Sequence, residues 1–463
     1  MSLARERKVL DQSFSASNFR KIFDLENRKG NYLEGRFFPD IADKSKEIQS
    51  RSKKLRELRK IHAAVQSDDS ENEVNSAYNE LKELKEERDT LIDAELTKVS
   101  EKIREKSFSL NIQKGASIGG KPVYTTDNTA ESFFALKQIQ HNFRRLYKVK
   151  QANRHQIVCQ VRELLGDSFP KYVIRTDISS FYESIPTDKL LKKLRDDSLL
   201  SVDSRRIVQK IIFEYCRLSG SSLGIPRGIG ISAYLAELYM REIDETIIKP
   251  PAVIYYSRYV DDMLIVFCPE PNQNGFELAK TILTCFRKHG LKRNSSKTDI
   301  KKVPDSSIPQ NTIEYLGYKI TFSSGKEKHP VPAKLAMTDA KLDRYKRRID
   351  LVFAAYQKKS RYNEKQARRL LEKRIRFLTS NTRLVNNKKH VVSGVFFSNP
   401  LLTELDDLQD LDAHLQAYVS ALTVSRLQAR LSNYSFEKGF QRKRYHKFSA
   451  QDLSAIVEAW KNV

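Results

Sequence analysis

Two aspartates stand side by side at positions 261 and 262, inside the run YYSRYVDDMLIVF. Apolar residues flank them, so the pair falls between two strand-like segments. Adjacent carboxylates repel, and nearness to a core raises that cost. A cation would relieve it, and hard oxygen ligands favour Mg2+ or Mn2+. A β-hairpin turn that merely uses Asp is the structural alternative. A third carboxylate, Asp177, ends the β-branched run KYVIRTDI (171–178), 84 residues before Asp261. Three carboxylates at the ends of neighbouring strands could hold two metal ions on one side of a sheet. That arrangement serves in-line displacement at phosphorus.

Charge points the same way. The chain has 463 residues, with 83 Lys and Arg against 58 Asp and Glu, a formal charge of +25. Hydrophobic residues make up 40%, an ordinary globular share that excludes a disordered basic tail. A basic folded chain calls for a polyanionic partner, and nucleic acid leads because a basic surface binds phosphates whatever the sequence. The cysteines at 159, 216, 268 and 285 form no C-x-x-C pair, which argues against structural zinc and a disulfide framework. No apolar stretch approaches the ~18 residues of a membrane span, and MSLARERKVLDQSF lacks a signal-peptide core. A soluble, cytoplasmic protein without a membrane partner is expected.

The elements that must position the aspartates can be read from periodicity. Residues 44–106 are densely charged, and their apolar steps of three, four and seven predict two long helices in an antiparallel hairpin, interrupted by SDDSENE (67–73). A single solvated arm is the alternative. KGASIGGKPVY (114–124) reads as a loop and 130–147 as helix. Strands are expected at 171–178, on both sides of the acidic pair, and at 312–322. HPVPAK (329–334) reads as a hinge. Beyond it an apolar stripe at 335, 342, 345, 349 and 352 predicts helix, and 333–376 carries 15 basic against 5 acidic residues.

Tyr259-Val260-Asp261-Asp262 resembles the Y-x-D-D signature of reverse transcriptases. Five further segments resemble motifs of that family, and the six occur in family order. RRLYKVKQANRHQIV (144–158) is similar to the basic fingers hairpin, and VIRTDISSFYESI (173–185) to the first palm motif. GIPRGIGISAYLAELYM (224–240) resembles the P-x-G-x-x-x-S segment with its helix. GLKRNSSKT (290–298) resembles the loop of the palm lysine, and YLGY (315–318) the primer-grip hairpin. The resemblance implies an α+β right-hand polymerase: fingers, a palm with an antiparallel sheet, and a helical thumb. A helical N-terminal extension (1–106), a fingers and palm core (107–328) and a helical thumb and C-terminal region (329–463) would follow one another.

The resemblance also implies roles. Asp177 and Asp261 would be the main metal ligands, with Asp262 assisting. Lys297 would be an acid for the pyrophosphate leaving group, or else a surface lysine. Arg154, with Lys150, would hold the incoming triphosphate. Tyr182, five residues after Asp177, would lie beneath the sugar and exclude a 2′-hydroxyl, unless it is a core aromatic beside Phe181. Gly228 and Ser232 would let their segment pass close to the template base, and Tyr315, Leu316 and Gly317 would form the primer grip. Arg227 stands where the family has glutamine; it would stack on a base, bind a phosphate or favour particular nucleotides. The basic C-terminal region would track duplex phosphates as a thumb or be a solvated helix face. Phe440, Tyr445 and Phe448, interleaved with Lys438, Arg442, Lys443, Arg444 and Lys447, would stack on single-stranded bases or pack a helix end.

An H-N-H nuclease, the retron segments, an integrase and a protease are not visible. The Pro226–Met240 segment is similar to that of bacterial defence-associated and abortive-infection reverse transcriptases. That group implies anti-phage immunity: an RNA-directed DNA polymerase taking dNTPs to a DNA product on a structured non-coding RNA template, or without a usual template. Some members work beside a second polymerase or assemble with themselves. The alternative from another class is a catalytically idle RNA-binding scaffold with the polymerase fold.

Overall fold

The protein, seen in a computed structural model, is described over residues 10–149, 152–167, 169–308, 310–323, 332–383 and 392–461. Lys150 and residues 329–331 of the expected hinge lie outside the described residues. The chain divides into two compact units, residues 1–150 with 180–242 and residues 151–179 with 243–463. Helices and strands are mixed in both, as an α+β chain requires.

In the first unit the charged segment folds as two long helices, Pro39–Val65 and Asp68–Arg104. Lys44 pairs with Glu87, and Arg51 with Glu80 at 3.1 Å, an antiparallel register. Ile48, Leu55 and Leu81 close a small core between the helices. The break is shorter than SDDSENE suggests. Gln66 turns the chain at φ 51°, and Ser67 caps the second helix in a reciprocal capping box with Ser70. The acids that follow enter the first turn, where the positive end of the helix dipole favours them. The 114–124 segment is a hairpin rather than a loop: strands Ile112–Ile118 and Lys121–Thr126 pair across Gly119-Gly120. Its outer strand is almost wholly exposed, so it lacks the alternation that marks a strand in sequence.

The second unit is built on a four-stranded antiparallel sheet in the order Val253–Tyr259, Asp262–Phe267, Lys171–Asp177, Asp299–Val303. Met263 to Phe267 are all fully buried, which explains a continuous apolar run where one-sided strands would alternate. The 312–322 signal is two strands, Asn311–Tyr315 and Tyr318–Phe322, which with Lys334–Met337 form a second sheet. Leu335 of the expected helical stripe therefore lies on a strand, and the helix begins at Asp339. The C-terminal helices enclose their own core around Ile349, Val352, Leu371, Ile375, Leu411 and Phe436. A small sheet of Asn381–Arg383, Val392–Gly394 and Tyr445–His446 interrupts them, although the sequence there reads as helical. Phe440 and Phe448 are buried, against Phe396 at 5.3 Å and Phe377 at 5.8 Å, so these two pack a helix end; Tyr445 is exposed.

All four cysteines are free, and no helix among the described residues is long and apolar enough to cross a membrane.

Candidate active site

Tyr259 and Asp262 face each other across a two-residue turn of Val260 and Asp261. Val260 takes φ 62°, which a β-branched side chain adopts only when its surroundings impose it, at about 1–3 kcal/mol. Arg258 imposes it. Its guanidinium grips Asp244 with two hydrogen bonds of 2.9 and 2.7 Å and donates a third, of 3.0 Å, to the Val260 carbonyl. The Tyr256 hydroxyl donates to the same Asp244 carboxylate at 2.7 Å. On the other side, fully buried Tyr315 reaches the Ser257 and Asp262 carbonyls, each at 3.3 Å. Sequence reading missed Arg258, Asp244 and Tyr256. An arginine in a strand and an aspartate 14 residues away in a helix carry no periodic signal.

Register pairing sets Asp177 directly opposite Asp262 on the adjoining strand. The Asp177 carbonyl accepts from Asn294 N at 2.7 Å, and Asn294 turns the loop that presents Lys297. Lys297 Nζ donates to Asp177 Oδ2 at 2.6 Å. Arg175 Nε lies 3.7 Å from Asp262 Oδ1, too far for a hydrogen bond. Asp262 Oδ1 is buried without a hydrogen-bond partner. Burial pushes the Asp262 carboxyl up to about 6; Arg175 and Lys297 oppose that rise, and Asp177 and Asp261 add to it. The site thus holds three carboxylates against two cations, with one orphaned buried oxygen. That donor set suits a hard divalent ion. Among the described residues, no three acidic, His or Cys side chains are gathered closely enough to hold a metal as they stand.

Leu316 and Gly317 form the turn of the neighbouring hairpin, both at positive φ, 47° and 73°. Arg154 forks onto the Leu316 carbonyl through Nε, at 3.0 Å, and Nη2, and its guanidinium lies 5.6 Å from the Tyr318 ring. Its expected partner was a triphosphate; in the structure it braces this turn. A cleft of about 530 Å3 opens beside it, lined by Arg154, Lys341, Arg344 and Arg348 and, among the described residues, by no acidic side chain. Lys341 donates to the Ser398 carbonyl at 3.1 Å. Burial, then Arg154 and Arg344, lower its ammonium to about 8. Residues 341, 344 and 348 share one helix face, a spacing that the sequence reading left as bulk positive charge.

The remaining expected site residues belong to the first unit. Tyr182 is half-buried, unlike Phe181, which is 1% exposed and meets the Tyr182 ring edge-on at 5.4 Å. Arg227 bonds Glu183. Gly228 takes φ 102°, and a Cβ there would stand 2.6 Å from the Tyr124 carbonyl. The close approach is thus to the Lys121–Thr126 strand, whose Tyr124 N donates to the Arg227 carbonyl at 2.7 Å. Ser232 Oγ donates to the Pro226 carbonyl at 2.6 Å and closes the same segment.

Residues 129–320 match the family model for reverse transcriptase (RNA-dependent DNA polymerase). No curated protein matches. Among solved structures, the chain is similar to apo telomerase from Candida tropicalis truncated from its C-terminal domain, at 13% identity and a TM-score of 0.35, over 49% of this chain and 55% of that one. It is also similar to telomerase from Candida albicans in complex with a TWJ fragment of telomeric RNA, at 13% and 0.33, over 79% and 64%. A third is the BmCPV RNA-dependent RNA polymerase at its elongation state, at 8% and 0.30, over 55% and 25%. The chain thus spans 55% and 64% of the two telomerase chains. The family match includes Asp177, Asp261, Asp262 and Lys297, and the model that residues 129–320 match is that of an RNA-directed DNA polymerase, a nucleotidyltransferase.

Proposed function

We propose that the protein extends a primer on an RNA template with dNTPs, by nucleotidyl transfer at the carboxylates of the four-stranded sheet. The observation that carries this reading is Asp177 paired with Asp262 on adjacent strands, within the segment that matches the family. The sheet is the palm of a right-hand polymerase, the matched residues before and within it the fingers, and the Asp339–Ser360 helix the start of the thumb. We place the N-terminal extension at 1–106, the fingers and palm at 107–328 and the thumb and C-terminal region at 329–463. Bacterial anti-phage defence on a structured non-coding RNA is the biological setting we favour, on the likeness of Pro226–Met240 to that group. A cytoplasmic protein that works beside a second polymerase or a copy of itself fits the same setting.

Asp177, Asp261 and Asp262 would hold Mg2+ or Mn2+. When bound, the ion supplies activation of the attacking 3′-hydroxyl and charge stabilisation at the phosphate. The chain's own residues do the rest. Arg258 and Tyr315 fix the turn, so the carboxylates cost no reorganisation. Lys297, whose Nζ lies 2.6 Å from Asp177 Oδ2, holds the proton that would pass to the pyrophosphate oxygen. Arg154 and Lys150 remain our candidates for the triphosphate, Gly228 and Ser232 for the template side, and Tyr315, Leu316 and Gly317 for the primer grip. A single-turnover assay with RNA template, DNA primer and dNTPs tests the reading. Its absence with both metals would favour an idle RNA-binding scaffold, a second reading supported by Lys297 resting on Asp177.

Two expectations follow from particular side chains. Tyr182 is half-buried where Phe181 is fully buried, which leaves part of its ring open to a sugar. Tyr182→Ala is expected to lower the preference for dNTPs over rNTPs by about 5- to 150-fold, the range of a relieved packing clash of about 1–3 kcal/mol. Competition between paired dNTP and rNTP measures it, and an unchanged ratio would return Tyr182 to a packing role. The cationic cleft suits the duplex backbone. Replacing Lys341, Arg344 and Arg348 together by Gln is expected to weaken RNA–DNA duplex binding and flatten log K against log salt by about 0.9 per lost phosphate contact. Fluorescence anisotropy over about 50–200 mM salt reads the slope. An unaltered slope would mean that these cations meet no phosphate.

A further inference from the structure

The Tyr182 ring is confined by an ion pair from its own unit. Arg227 Nε and Nη2 donate to the two oxygens of Glu183, at 3.0 and 3.2 Å, in a forked geometry that fixes both planes. The same guanidinium lies 5.0 Å from the centre of the Tyr182 ring, within cation–π range. Phe181 meets that ring edge-on. The two chain segments also touch through their backbones. Ile225 N donates to the Tyr182 carbonyl and Gly224 N to the Ile185 carbonyl, both at 2.8 Å. Gly224, at φ 99°, lies so near Glu183 that a Cβ would come within 2.9 Å of its Cα. The side chains of both ion-pair partners are partly covered, at 30% and 27% exposure, so water screens them less than a fully exposed pair. Burial, the largest influence, pushes the Glu183 carboxyl up, but hydrogen bonds from Arg227 and the backbone, with the charges of Arg227 and Lys121, together hold the group below its ordinary value.

We infer that the Glu183–Arg227 pair is a positioning device that sets the Tyr182 ring and, through it, the choice between deoxy- and ribonucleotides. The inference rests on the reading of Tyr182 as the residue beneath the sugar. A guanidinium that spends its fork on Glu183 is not offering that fork to a guanine edge. Its influence on nucleotide choice therefore runs through the ring it covers. A tyrosine ring turns about two bonds, and a 2′-oxygen is one atom, so a small loosening of the ring admits it. Glu183, inside the 173–185 segment, thereby becomes a specificity residue.

The test is the ratio of kcat/KM for dNTP and matched rNTP in the wild type, Arg227→Gln, Glu183→Gln, their double variant, and each single variant combined with Tyr182→Ala. Each single substitution is expected to lower the deoxy-to-ribo ratio by about five- to tenfold, in the direction of Tyr182→Ala, while dNTP incorporation falls less. The double variant should match the singles, and both should lose their effect once Tyr182 is alanine. A merely structural role would not vanish in that background. Arg227→Lys, which keeps the charge and removes the fork, should give an intermediate ratio and guards against misfolding of the neutral variants. An unchanged ratio, with altered yield or base composition, overturns the inference and leaves the polymerase reading standing. A persisting effect in the Tyr182→Ala background overturns it too. A wild-type protein that incorporates no nucleotide overturns the polymerase reading itself.

Discussion

Asp261→Ala combined with Asp262→Ala is expected to abolish nucleotide incorporation, by about a thousandfold or more, and to raise rather than lower the melting temperature of the metal-free protein. The first effect comes from deleting the oxygen ligands that would stabilise several kcal/mol of charge in the transition state. The second comes from the site itself. Asp262 Oδ1 is buried without a hydrogen-bond partner, and its carboxyl stands opposite that of Asp177. Burial and the two neighbouring aspartates disfavour its charged form, so removing two like charges relieves the fold. Primer extension and thermal melting in EDTA, on the same preparations, give both readouts. Incorporation near the wild-type rate would sink the carboxylate reading. Loss of activity with a large drop in melting temperature would mean that the pair supports the turn rather than the chemistry.

Much of this site was legible in the sequence because its parts are local. An apolar run that ends in Asp177 and another that contains Asp261 and Asp262 are strand signals with carboxylates at their ends. The structure pairs Asp177 with Asp262 one to one. What holds those strands in place was not legible. Arg258 reads as one more charge in a strand, and its function depends on Asp244, which only tertiary folding brings to it. Arg227 shows the same limit from another side. Its charge was visible as a departure, and base or phosphate partners were the natural expectation; its observed partner, Glu183, is 44 positions away on another segment.

The fold divides along similar lines. The helices Pro39–Val65 and Asp68–Arg104 were readable because long amphipathic periodicity survives many exceptions. Strands with little burial were not. Ile112–Ile118 exposes six of its seven residues, so neither alternation nor an apolar run marks it. The strands at Asn381–Arg383 and Val392–Gly394 are three residues each, shorter than any pattern can declare. Their identity comes from pairing partners rather than from composition.

Tyr315→Ala is expected to have the second large effect, one that joins stability to chemistry. Tyr315 is among the largest fully buried side chains of the protein and packs in a core shared by the four-stranded sheet and the sheet that carries it. Emptying such a site costs about 3–5 kcal/mol, so the urea midpoint should fall sharply. Its hydroxyl also reaches the carbonyls of Ser257 and Asp262, which flank the strained Val260 turn. Without it the turn keeps the Arg258 bond and loses its opposite brace. A displacement of about 1 Å in reacting groups costs about a hundredfold in rate, so kcat should fall at temperatures where the variant is still folded. Tyr315→Phe separates the two contributions. It keeps the ring and removes only the hydroxyl, worth about 1 kcal/mol of stability. If the hydroxyl positions the turn, Tyr315→Phe lowers kcat with KM for dNTP unchanged and the protein nearly as stable as the wild type. If kcat in Tyr315→Phe equals the wild-type value, the ring alone matters, and Arg258 suffices to hold the aspartates.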